Sequence, residues 1–160
     1  MKHLLVGIFS VLSLTGCQIL PYVNPKHVEG QTAVLRGTSI RRGFANWEEY
    51  VVDRVDGRKM VYLVSVREKI VLSPGRHRLE VKPTFYRMDL NLGVGPRETH
   101  DEIEFIAESG KEYEFGGRID GLRCVVWIVE KGSGRKVVEQ STPEHHKMMV
   151  SYPIYIPVSR

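Results

Sequence analysis

Between residues 32 and 139 the apolar side chains recur mostly at every second position, the pattern of strands that bury one face. Extended segments are predicted at residues 32–37, 50–55, 60–64, 69–73, 84–90, 102–107, 112–115 and 135–139. Residues 76–82 alternate most cleanly, with His77, Leu79 and Val81 on one face and charged residues on the other. Pro83 removes a backbone donor, so that strand should end, bulge or lie on an edge there. Residues 123–130 are almost continuously apolar, as a central strand covered on both faces would be. Asp56-Gly57, Pro74-Gly75, Ser109-Gly110-Lys111 and Gly132-Ser133-Gly134 supply the turns, and residues 91–101 read as a hairpin loop. Only residues 43–49 suggest a helical turn. Short strands with turn chemistry between them predict a mainly β protein: a single antiparallel β-sandwich over residues 32–160. Its core should include Leu35, Val52, Leu72, Leu79, Val81, Phe105, Tyr113, Val126 and Ile128.

The first residues break this alternation. Lys2 and His3 precede an apolar run from Leu4 to Leu14, followed by Leu14-Thr15-Gly16-Cys17. The run is too short to span a bilayer and has the length of a secretory h-region. The tetrapeptide resembles the bacterial lipobox, whose cysteine thiol takes up diacylglycerol and becomes the new N-terminus. That resemblance implies a signal peptide over residues 1–16, lipidation at Cys17 and a membrane partner reached through the lipid anchor. Gln18, in place of an aspartate, implies the outer membrane, facing the periplasm. An ordinary secretory leader with an incidental cysteine is the competing reading. Residues 17–31 carry Pro21, Asn24, Pro25 and Gly30 with little periodicity and read as a semi-extended tether.

Composition narrows the function classes further. The 160 residues hold 23 basic and 19 acidic side chains, interspersed, so neither disorder nor a polyanion partner is demanded. Cleavage before Cys17 would remove Lys2 and leave a formal charge of +3. Two cysteines exclude a disulfide-dense scaffold and a four-thiolate zinc site. With Cys17 acylated, Cys124 is a lone thiol, and Val125, Val126 and Trp127 beside it favour burial.

Four segments together resemble a family. Val55-Asp56-Gly57-Arg58, then residues 72–81 (LSPGRHRLEV), then residues 105–113 (FIAESGKEY), then residues 129–137 (VEKGSGRKV) are similar to the hairpins of small bacterial lipoproteins with PEGA-like β-sandwich domains. The resemblance covers residues 32–139, implies the sandwich fold and carries no catalytic motif.

Candidate chemistry is sparse. His77 on an apolar strand face reads as a ring bonded to a turn carbonyl. Glu144-His145-His146 is the best metal-like run, but adjacent strand residues point to opposite faces, so no metal or other cofactor is expected. Arg36, Arg41 and Arg42 read as solvated arginines, with lipid phosphates as the sharper alternative. Gly93-Val94-Gly95-Pro96 lacks the Lys-Ser/Thr of a phosphate loop. Trp47, Tyr152 and Tyr155 are candidates for a partner surface or for the core. No Ser-His-Asp order or carboxylate pair is argued by the spacing. The reading is therefore a non-enzymatic envelope lipoprotein that binds another envelope protein, without nucleic acid. A small-ligand or lipid carrier is the alternative. Edge strands, the one interrupted by Pro83 or the tail at residues 151–159, are natural places to add a partner's strand, and the tail's Ile154 and Ile156 should otherwise dock on the sandwich.

Overall fold

The computed structural model describes residues 20–43, 45–60, 69–90, 92 and 95–148. The described residues form eleven strands: β1 (Ala33–Arg41), β2 (Asn46–Val55), β3 (Arg58–Lys59), β4 (Lys69–Leu72), β5 (Gly75–Arg87), β6 (Arg97–Glu98), β7 (Asp101–Ala107), β8 (Glu112–Asp120), β9 (Arg123–Glu130), β10 (Lys136–Ser141) and β11 (His146–Lys147). A single 3-10 turn, Met88–Leu90, follows β5. The protein is mainly β, a curled sheet folded into a sandwich-like body.

Two layers share β1. Its first half pairs with β4 and β8, and its second half, Thr38 to Arg41, pairs with β2. One layer therefore runs β10-β9-β8-β1-β4, and the other is built on β1-β2-β5 with β3, β6, β7 and β11 attached. All pairings between these strands are antiparallel except one. β1 runs parallel to β8, with Leu35 opposite Tyr113. Sequence-adjacent hairpins cannot make such a pair, and it departs from an all-antiparallel sandwich.

The core sits between the layers. All nine residues predicted for it are buried, each no more than 2% exposed. Rings from opposite layers meet edge-on: Tyr50 on Phe115 at 6.4 Å and Phe105 on Tyr113 at 4.8 Å between centroids. Each such pair adds roughly 0.5–1.5 kcal/mol beyond the area it buries.

The turns follow the sequence. Asp56 and Gly57 have φ of 51° and 75°, the two left-handed positions of a type I′ hairpin between β2 and β3. Pro74-Gly75, Ser109-Gly110 and Gly132-Ser133-Gly134 join β4 to β5, β7 to β8 and β9 to β10. Residues 91–101 do connect antiparallel neighbours, β5 and β7, but the connection also contains β6.

Three expectations are corrected. Residues 46–49 are not helical: β2 begins at Asn46, because Trp47 and Glu48 are held in register by β1 on one side and β5 on the other. Local propensity over seven residues does not outweigh two ladders. β5 runs straight through Pro83, which lies opposite Tyr50 of β2. On its other flank the β7 ladder stops at Val81 and the β6 ladder starts at Thr84, so the missing donor falls in a gap. There the Pro83 carbonyl still accepts the Thr99 N–H at 3.1 Å. Flanked on both sides, β5 offers no edge to a partner. Third, among the described residues β9 is covered on one face only: Cys124, Val126, Ile128 and Glu130 are buried, whereas Val125, Trp127 and Val129 stay partly exposed.

The ends of the curl approach one another. The Gln140 amide on β10 donates to Asp101 Oδ2 at 2.7 Å and to the Glu102 carbonyl at 3.0 Å on β7. From β10 the chain crosses the opening: Thr142 N–H donates to the Cys124 carbonyl and His145 N–H to the Leu122 carbonyl, both at 2.8 Å, before β11 pairs with β6. Residues 1–19, with Cys17, and the tail at residues 151–159, with Ile154 and Ile156, lie outside the described residues, as do residues 61–64 of the predicted third strand.

Candidate interaction surface

The outward face of β1-β8-β9 carries a recess made by a missing side chain. Gly116 of β8 lies opposite Trp127 of β9 in the ladder, and a β-carbon at 116 would come within 3.1 Å of the Trp127 Nε1. Thr38 and Ile40 from β1, and Val129 from β9, complete a shallow cavity of about 240 Å³, with Glu114 at its rim. Lys136 of β10 places its ammonium 4.8 Å from the Trp127 ring centroid. This cation–π contact holds the indole against the sheet and leaves its N–H edge toward the recess. At the other side of the rim Thr38 Oγ1 donates to Glu114 Oε1 at 2.9 Å. The result is an apolar, aromatic-walled recess with one carboxylate beside it, dimensioned for a side chain rather than for a whole small molecule.

Gly117, the next residue, serves the inside of the same strand. Its missing side chain admits the Tyr50 ring, whose hydroxyl donates to Glu48 Oε2 at 2.7 Å. Glu48 is 3% exposed and also pairs with Arg87, which in turn grips Asp89. Burial first, then the bond to Glu48, raises the Tyr50 hydroxyl far above its ordinary range. Cys124, fully buried nearby, has its thiol pushed up to about 12 by desolvation and by the Glu48 charge. It is the free cysteine among the described residues, as its apolar neighbours implied, and it is held in the protonated, unreactive form.

His77 and His145 are committed to the scaffold. His77 bridges two turns, with Nδ1 2.8 Å from Asp56 Oδ2 and Nε2 donating to the Ser73 carbonyl at 2.8 Å. That is the turn-bonded ring read from the sequence. His145 is buried, accepts the Arg97 Nε–H on Nδ1 at 2.8 Å and donates from Nε2 to the Gly121 carbonyl at 3.1 Å. Both of its nitrogens are taken. His146 points elsewhere, its Nε2 3.6 Å from Glu98 Oε1 and its ring stacked on His100. The run Glu144-His145-His146 thus splits between interior and surface.

The three arginines also separate. Arg36 and Arg41 lie at either end of β1's outer stretch, and Arg42 is exposed, 3.9 Å from Glu48. Trp47 is a half-buried residue of β2, and Tyr152 and Tyr155 lie outside the described residues, as do Gly93 and Val94. Sequence reasoning took Trp127 as a companion of the buried Cys124 and passed over Gly116-Gly117. A glycine pair inside a strand was the available signal, because each glycine there marks a close approach on its own face.

No family model, no curated protein and no solved structure matches the chain.

Proposed function

We propose that this chain is a bacterial envelope lipoprotein, anchored through acylated Cys17 on the periplasmic side of the outer membrane, that binds another envelope protein through the Trp127 face. The observation that carries the interaction reading is β9. Its sequence is apolar on both faces, yet among the described residues only the inner face has a covering layer, and the outer one presents Trp127, Val125 and Val129 beside the Gly116 recess. A surface tryptophan beside a pocket is the usual anchor of a protein interface. The engagement of His77 and His145 in structural bonds supports a non-enzymatic role. The PEGA-like resemblance is consistent with the same role. The interior is filled by rings from Tyr50, Phe85, Phe105, Tyr113 and Phe115, and the recess opens outward rather than between the layers, which favours a protein partner over a carried lipid.

The test is photo-crosslinking in intact cells from a probe placed at Val129, followed by identification of the captured species. One stoichiometric protein, lost on Gly116→Val and on Trp127→Ala, supports the proposal. Capture that ignores both substitutions, or capture of lipid only, overturns it. A chain ending at residue 150 separates a partner from the chain's own tail: if the probe captures residues 151–160 in the full chain, the face is self-covered and the proposal fails. Mass spectrometry of the N-terminal peptide decides acylation at Cys17 independently.

A further inference from the structure

The segment read as a semi-extended tether is docked from Tyr22 onward. Tyr22 pairs with Met60 as a parallel bridge, its N–H donating to the Lys59 carbonyl at 2.9 Å and its hydroxyl to the Val71 carbonyl at 2.6 Å. Asn24 then imitates a strand residue against β4: its side-chain amide donates to the Lys69 carbonyl and its Oδ1 accepts the Val71 N–H, both at 3.0 Å. Farther on, Thr32 folds the chain back on Val28, and Ser109 donates to the Gly30 carbonyl at 2.8 Å. Residues 22–30 therefore form a strap across β3, β4 and the β7–β8 turn.

What the strap leaves outward is unusual for a docked segment. Leu20 and Val23 are 68% and 77% exposed, and Val28 is also exposed. Basic side chains adjoin them: Lys26 on the strap, Arg58 and Lys59 on β3, and Lys69 on β4, all exposed. The acidic residues nearby are Glu29, Asp56, Glu108 and Glu112, and the last three are engaged: Asp56 by His77 and the Arg78 N–H, Glu108 by Arg135 and Glu112 by Lys131. Exposed aliphatic side chains ringed by lysine and arginine match an anionic phospholipid interface, where the apolar groups enter the headgroup boundary and the cations meet phosphates.

We infer that this strap face lies on the membrane as a second, charge-selective contact, with Leu20 and Val23 inserted and Lys26, Arg58, Lys59 and Lys69 on anionic headgroups. The inference rests on the acylated Cys17 of the proposed function. Four residues lie between Cys17 and Tyr22, so the anchor holds the strap within about 17 Å of the acyl attachment even when those five steps are fully extended. The anchor thereby brings this face, and no distant one, to the bilayer. A docked strap fixes the orientation of the domain; a free tether would leave it to tumble.

The protein purified from bacterial membranes, carrying Val23→Cys labelled with an environment-sensitive fluorophore, tests this in reconstituted vesicles. Cys124 is buried and Cys17 blocked by its lipid, so the label is site-specific. On vesicles containing phosphatidylglycerol the emission shifts to the blue and is quenched by bromine-labelled lipid; on pure phosphatidylcholine it stays aqueous. Arg58→Glu, Lys59→Glu and Lys69→Glu together, or high salt, restore the aqueous emission while the protein stays vesicle-bound. Identical emission on both lipids, or indifference to charge reversal, overturns the inference. An unmodified Cys17 in the mass spectrum is a failure of the anchor and is read separately.

Discussion

The Tyr50 ring occupies the space that a side chain at Gly117 would need. A β-carbon at 117 would lie 2.8 Å from the Tyr50 Cδ1 and equally close to the Val125 carbonyl oxygen, which belongs to the neighbouring strand and cannot swing away. Gly116 differs, since its nearest neighbour is the end of a partly exposed indole. Gly117→Ala should therefore destabilise the domain by about 1–3 kcal/mol, the usual range for overpacking. Gly116→Ala should change stability by less than about 0.5 kcal/mol while shrinking the recess, as surface changes usually do. Urea unfolding of the two variants side by side checks the contrast.

Arg87 neutralises a carboxylate that has almost no access to water. Arg87→Leu leaves Glu48 buried with the Tyr50 hydroxyl and, 3.9 Å away, the exposed Arg42 guanidinium as its remaining partners, and should cost about 3–5 kcal/mol. The double replacement Glu48→Met with Arg87→Leu removes both charges and should recover most of that loss. Chemical denaturation of the single and double variants reads the difference, and a double variant no better than the single one would place the cost elsewhere.

His77 ties the β2–β3 turn to the turn before β5 through one ring. His77→Ala should lower stability by about 1–3 kcal/mol, because it strips two partly buried bonds and leaves the Ser73 carbonyl without that donor. Asp56→Asn keeps the left-handed backbone but removes the charge, and should cost less than His77→Ala. Thermal melts of both variants, compared with the parent, decide the order.

Alkaline pH should destabilise the domain. Burial pushes the Cys124 thiol from 9.0 to about 12 and the Tyr22 hydroxyl from 10.0 to about 12, the latter aided by Asp56 and opposed by Arg58. Both groups are held protonated in the folded state and release protons earlier when unfolded. Their contribution is complete below about pH 9 and disappears as the pH rises toward 12. Circular dichroism against pH should show the loss in that window, and an aromatic disulfide reagent should leave Cys124 untouched at pH 8 until denaturant is added.

How far the sequence speaks depends on the range of the interaction. His77 was readable because its two partners, Asp56 and Ser73, sit in turns that the local dipeptides already specify. The nine core positions were readable because strand alternation is set residue by residue. The start of β2 was hidden, since Trp47 and Glu48 are held extended between β1, just across a turn, and β5, which lies far on in the chain. So was the parallel β1–β8 pair, which no hairpin announces. The candidate site was the least legible part. An apolar run such as residues 123–130 records that both faces avoid water, but not whether the second cover comes from the same chain. Tyr22 and Asn24 gave no periodic signal because they dock by side-chain bonds to carbonyls and an amide rather than by an alternating strand.

The shared strand β1 also governs how the domain meets tension. A pull on the chain ahead of Tyr22 first peels the strap, whose bonds at Lys59, Val71 and Lys69 lie in series and break one after another. It then reaches β1, which is laced to β4 and β8 along its first half and to β2 along its second. Drawing β1 out lengthwise shears those ladders together instead of unzipping them singly. The strap is thus a yielding element in front of a stiff one, and a domain tugged from its N-terminal side surrenders some slack before its core is strained.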